Sequence, residues 1–256
     1  MAITVIKIRK LNVKHAKIIT VADRMIVAIH ELIDNLHPPT TSPDRLRVSL
    51  FLTIAEQFEA CVHLLRVNMP SHAAVHTRSM LEALVSMNLL GKRENYVEQM
   101  LYKQLSGQKK ILENILESEY FPDESKKLIQ TLLSECLPAY NEKHNAGIRK
   151  RQIGEEMLEA GLAELIPPYL MLCGFSHNDV SVLALRHQGE NAMTYMATVN
   201  DDITSSIFMT AVRIIVQATE PLSKIAFFVD NSFETGFRKM NDTWGEALEA
   251  LETCQN

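Results

Sequence analysis

Between His72 and Leu90 the chain reads HAAVHTRSMLEALVSMNLL. Wound as a helix, this stretch leaves almost no polar face, because Ala73, Ala74, Val75, Met80, Leu81, Ala83, Leu84, Val85, Met87, Leu89 and Leu90 cover most of its circumference. A helix that is apolar on most sides must be enclosed by others. Ser71 is placed to cap it, Pro70 precedes it and Gly91 stops it. The chain is therefore expected to build layers of helices around this one.

The flanking sequence supplies those layers. Residues 3–8 (ITVIKI) suit a short strand or extended arm. From about Val13 to Leu36 apolar residues recur at helical spacing. After the break His37-Pro38-Pro39-Thr40-Thr41, the run Ser42-Pro43-Asp44 reads as a capped helix start, with the helix continuing to Met69. A charged amphipathic helix is predicted over about Arg93–Glu117, and a shorter one from Asp123 to about Leu137. The segment Pro138–Gly161 is the most polar, Pro167-Pro168 opens a helix towards His177, and 178–190 reads as a loop whose residues Ser181–Leu185 could be ordered. Two helices, about Asp201–Val229 and Ser232–Glu252, close the chain. The expected fold is all-α: one domain over residues 1–256, bundle-like, with about eight helices and a short N-terminal extended segment.

Composition narrows the function classes. Hydrophobic residues at 46% and charged residues at 22% are those of a globular chain. Nine glycines and nine prolines are too few for a fold of many short strands. The formal net charge of -5 argues against a generally basic nucleic-acid coat. The four cysteines are scattered, as in a reduced compartment where thiols serve as small core hydrophobes. The N-terminus lacks a secretory signal, and the apolar window 203–229 carries Arg213, Glu220, Pro221 and Lys224. A cytoplasmic protein without membrane contact is expected. The phosphate-cradling, dinucleotide-binding, nucleophile-elbow and zincin motifs are all missing from the sequence, so no cofactor is expected.

Three constellations carry potential chemistry. Arg78 and Glu82 stand four apart on the otherwise apolar helix, either as a partly solvated ion pair or as the floor of a cleft. Tyr169, Cys173 and His177 share one face of the next prolyl-started helix, with Ser176 and Asn178 adding polar groups at its end. His177 there suits an acid, a base, an anion binder or a residue compensating the helix dipole. His72 and His76, with Glu56, Glu59 or His63, have the spacing of metal ligands, but the paired Glu-x-x-His pattern of di-iron bundles is missing and no metal is expected. Arg9…His15, Arg24…His30 and Arg66…His72 have the Arg/His spacing of HEPN-type helical ribonucleases. Twelve arginines and nine histidines make such matches common by chance.

The stretch 72–90, followed by a charged helix and then by PPYLMLCGFSHNDVSVL, resembles the bacterial family catalogued as the domain of unknown function 5677. Its pattern is R-x-x-x-E, then a Tyr, a small hydroxyl residue and a His at intervals of four. The resemblance places Arg78 and Glu82 on the first part and Tyr169 and His177 on the second. Cys173 departs from it, standing where the family more often has Ser. The resemblance implies an all-helical core over about residues 50–190, with the N-terminal helix and the two C-terminal helices packed on it. It implies no reaction, although some relatives look like genome-defence components.

Together these readings place Arg78, Glu82, Tyr169 and His177 in one pocket between helices. The favoured function is a binding or interaction protein, a homodimer or a binder of a small anionic ligand or RNA. In it Arg78, Tyr169, Ser176 and Asn178 would contact the ligand. The alternative is a nuclease-like or nucleotide-processing enzyme with His177 and Glu82 as catalytic groups and Arg78 on a phosphate. Lys109, Lys110, Lys126, Lys127, Arg149, Lys150 and Arg151 would then guide a phosphate backbone.

Overall fold

A computed structural model describes residues 3–5, 13–188, 193–195 and 201–252. Its elements run β1 (Ile3–Val5), α1 (Val13–Asp34), β2 (Leu36–His37), α2 (Asp44–Arg66), α3 (Pro70–Lys92), α4 (Tyr96–Glu117) and α5 (Asp123–Asn145). They continue with α6 (Ile153–Ala160), a single 3-10 turn (Ala163–Leu165), α7 (Ile166–His177), α8 (Val180–His187) and β3 (Met193–Tyr195). Last come α9 (Asp201–Thr219), the one-turn α10 (Leu222–Ile225), β4 (Phe227–Phe228) and α11 (Ser232–Glu252). The fold is all-α, with ten helices of eight or more residues among the described residues, against the eight or so predicted. The strands form two small pairs, β1 parallel to β3 and β2 antiparallel to β4.

Helix α3 lies inside. Of its 23 residues 13 are buried, and α2, α9, α7 and α6 pack around it. The α2–α3 interface is sealed by Phe51, Ile54, Phe58, Met80, Leu81 and Leu84, all fully buried. Within it Cys61 Sγ meets Thr77 Oγ1 at 3.4 Å, and burial pushes the thiol up to about 11, so Cys61 acts as a small core residue. Helices α1 and α11 pair and lie against α2 and α9, and one hydrophobic cluster runs from Ile18 to Ala247. By length and composition α2 could cross a membrane, a property the sequence reading assigned to no segment. Its apolar stripe, from Val48 to Leu65, is spent on this core.

Several boundaries differ from expectation for identifiable reasons. Helix α2 stops at Arg66, three residues early, where Asn68 takes a left-handed conformation (φ 59°) and Met69 N–H donates to the Leu64 carbonyl. Pro43 occupies the N-cap of α2 and Met69 that of α3, so neither Ser42 nor Ser71 caps. Gly91 lies inside α3 rather than ending it. A Cβ there would come within 2.9 Å of the Arg47 guanidinium, so its small size lets Arg47 cross the helix. Helix α5 passes through Pro138 to Asn145, because Tyr140 and His144 stack with Tyr102 of α4 at centroid distances of 5.6–6.3 Å. On so exposed a helix, water can take the carbonyl that proline leaves unpaired. The polar segment after it folds into α6, which Gly161 closes at φ 79°. Val180–His187, read mostly as loop, is helix α8. The predicted helix 201–229 breaks after Thr219 at Pro221, which disfavours a helical conformation in the residue before it.

Candidate functional site

The polar residues of α3 and α7 meet where the two helices pack. Arg78 and Glu82 sit one turn apart on α3, and Arg78 Nε donates to Glu82 Oε1 at 3.0 Å. On α7, Tyr169 and His177 face them from two turns apart. The Tyr169 hydroxyl donates to the same Glu82 oxygen at 3.2 Å, and the guanidinium lies over the Tyr169 ring at 5.8 Å. Arg78 Nη1 reaches His177 Nε2 at 3.2 Å. With Nε2 unprotonated, Arg78 donates and the ring accepts.

The electrostatics follow a gradient of exposure. Tyr169 is buried, and burial, its hydrogen bond with Cys173 and the Glu82 charge together push its phenol well above the ordinary tyrosine range. Partial burial works against the charge of Arg78, but Glu82, Cys173 and Tyr169 outweigh it and hold the guanidinium above its usual value. The side chains of Arg78 and Glu82 are 22% and 43% exposed, and His177 is exposed. The cluster is therefore a half-solvated groove edge, not a sealed internal pair.

The geometry joins four of the six predicted residues: Arg78, Glu82, Tyr169 and His177. Ser176 turns away, its hydroxyl donating to the Leu172 carbonyl at 3.1 Å. Asn178 takes the left-handed position that ends α7 (φ 53°), and Arg186 Nη1 donates to its side-chain oxygen at 3.4 Å. Arg186 was not foreseen. From α8 it also approaches His72 Nε2 at 3.4 Å, tying α8 to α3 and to the end of α7. The order expected within 181–185 stops one residue short of it.

Residues 44–194 match the model of a Family of unknown function (DUF5677). The chain belongs to this family. The matched span runs from the start of α2 to β3 and contains Arg78, Glu82, Tyr169 and His177. No curated protein and no solved structure matches the chain. In this DUF5677 protein the two halves of the polar motif, about a hundred residues apart, are neighbours in space. Residues weighed as metal ligands are engaged separately: His76 Nδ1 with Gln57 Oε1 at 2.6 Å, His72 with Arg186, His63 Nδ1 with Arg66 Nη1 at 3.4 Å, and Glu59 Oε1 with His30 Nε2 at 2.5 Å. Among the described residues no three His, Cys, Asp or Glu side chains gather as a metal site. Of the basic residues, Lys109 pairs with Glu113 at 2.6 Å and Arg151 with Glu155 at 3.5 Å.

Proposed function

We propose that this protein binds a small anion, a phosphate or carboxylate group, at the solvent edge of the α3–α7 groove. One observation carries the reading: the 3.2 Å approach of Arg78 Nη1 to His177 Nε2 across two helices, with His177 exposed. An anion seated at this edge accepts from the Arg78 guanidinium in place of the ring nitrogen, with His177 beside it. Glu82 and Tyr169 act on Arg78, one holding Nε and the other covering its face, so the guanidinium is positioned before any ligand arrives. Binding is favoured over catalysis because general acid–base catalysis by side chains draws on positioned groups free to take or give a proton. Tyr169 holds its proton on Glu82 with a raised pKa, and Glu82 is engaged twice, which leaves His177 alone for proton transfer.

Titration with inorganic phosphate tests this reading. Saturable binding is expected, weakened about tenfold in Arg78→Lys, which keeps the charge but loses the planar fork. His177→Gln should weaken binding by a smaller factor than Arg78→Lys. Equal affinity in wild type and Arg78→Lys overturns the reading. Cleavage of an oligoribonucleotide by wild type but not by His177→Gln favours the nuclease-like alternative instead.

A further inference from the structure

One helical turn further along α3, Ser86 opens onto a different space. A cavity of about 470 Å³ lies among α3, α4, α6 and the loop before α6, within the size range of small-molecule sites. Its lining is graded. At the inner end are Tyr96 and Glu156, each only 3% exposed. Val97, Met100 and Leu46 line its apolar wall, and Lys103, Lys150 and Arg151 stand around it. A second cavity of about 380 Å³ shares Gln99 and Arg151 with the first and adds Arg93 and Arg149. Arg149 and Lys150 have no ion-pair partner among the described residues.

Glu156 is the unusual member. A carboxylate this buried normally has an ion partner, yet among the described residues Glu156 has none within ion-pair distance: Lys103 and Arg151 act on it only from further off, and its hydrogen bonds come from neutral groups. Gln99 Nε2 donates to its Oε1 at 3.4 Å, and the Tyr96 phenol is its other hydrogen-bond partner. A carboxylate offers about four acceptor sites, so about two are left for a guest. The cavity thus presents acceptors at its buried end, an apolar wall between, and the cations Arg149 and Lys150, without ion-pair partners among the described residues, at its exposed end. A guest that satisfies all three carries neighbouring N–H donors on a flat body and an anionic group at the other end.

We propose that this cavity binds a purine nucleotide of the guanine type, with the N–H edge of the base on Glu156 and the phosphate among Lys103, Arg149 and Lys150. The site is separate from the Arg78–His177 edge and does not depend on it. The experiment is calorimetric titration of the full chain with guanosine monophosphate. Saturable binding is expected, at least tenfold weaker for guanosine, which lacks the phosphate, and for inosine monophosphate, which lacks the amino group. Glu156→Gln should weaken guanosine monophosphate at least tenfold while leaving inorganic phosphate binding unchanged. Arg149→Ala with Lys150→Ala should weaken the nucleotide and flatten its salt dependence. Arg78→Ala should leave nucleotide affinity unchanged. The proposal is overturned by no saturable binding at millimolar nucleotide, by equal affinity for guanosine and inosine monophosphates, or by loss of binding in Arg78→Ala. The comparison of the two nucleotides needs only the wild-type chain, so it decides even if a variant fails to fold.

Discussion

At Arg78 and Glu82 the question is how much of their interaction is structural. A fully buried ion pair, broken by removing one partner, costs about 3–5 kcal/mol. Here the side chains are 22% and 43% exposed, which puts the pair nearer the solvated case of about 1 kcal/mol or less. Arg78 adds its contact with the Tyr169 ring, worth about another 0.5–1 kcal/mol. At about 2–4 °C per kcal/mol, Arg78→Ala is therefore expected to lower the melting temperature by up to about 8 °C and Glu82→Ala by about 4 °C or less. Falls beyond ten degrees in a thermal melt would make the cluster part of the scaffold, and with it the case for an anion site at that edge would fail. His177→Ala, exposed and hydrogen-bonded among the described residues to Arg78 alone, should move the melt by less than either. The cluster was legible in the sequence because its charges interrupt an apolar helix and its second half repeats at intervals of four. Glu156 was not, since nothing in the polar run GEEMLEA tells which of its carboxylates turns inward.

Among the elements, α5 is the most weakly anchored long helix. It packs chiefly on α4, and Cys136 is its one buried residue. Its last two turns depend on the stack of Tyr140 and His144 on Tyr102, closed by a hydrogen bond of 3.1 Å between the Tyr102 hydroxyl and His144 Nδ1. Aromatic stacking of this kind contributes about 0.5–1.5 kcal/mol per pair, enough to hold a short exposed segment beyond a proline. Tyr140→Ala should let residues 139–145 fray while leaving α3 protected. Hydrogen exchange would read this as fast exchange confined to the end of α5, and unchanged protection there would show that the stack is not what carries the helix through Pro138. The same case explains what sequence reading reached among the elements. Periodicity located α1, α2, α3, α4, α7 and α11, whose apolar faces meet the core. It stopped α5 at Pro138 and left α8 as loop, because contacts with α4, and of Arg186 with α3, hold those segments, and neither is local in the sequence.

Among the described residues, Tyr96, Tyr169 and Glu156 share with the Cys61 thiol one sign of pH dependence. Burial pushes the Tyr96 phenol up to about 12 and Tyr169 further, and burial likewise raises the Glu156 carboxyl. Each group therefore keeps its proton in the folded chain at a pH where the unfolded chain has released it. The stability this confers is complete below the unfolded value and is lost as the pH rises through the folded one. For Glu156 the loss begins in the ordinary carboxylate range, so at neutral pH its burial already counts against the folded chain. Glu156→Gln is expected to melt at or above the wild-type temperature at pH 7. For the tyrosines the loss begins near pH 10, and Tyr96 alone accounts for on the order of 2 kcal/mol as the pH approaches 12. Tyr96→Phe removes a buried hydroxyl that is hydrogen-bonded to Ser86 and Glu156, so it should be less stable than wild type at pH 8. Denaturant melts at intervals from about pH 8 to 11 should then show the gap closing, because only the wild type has this phenol to ionise on unfolding. A gap that stays constant across that range would mean that Tyr96 ionises equally in both states, and that the inner end of its cavity is open to water rather than enclosed.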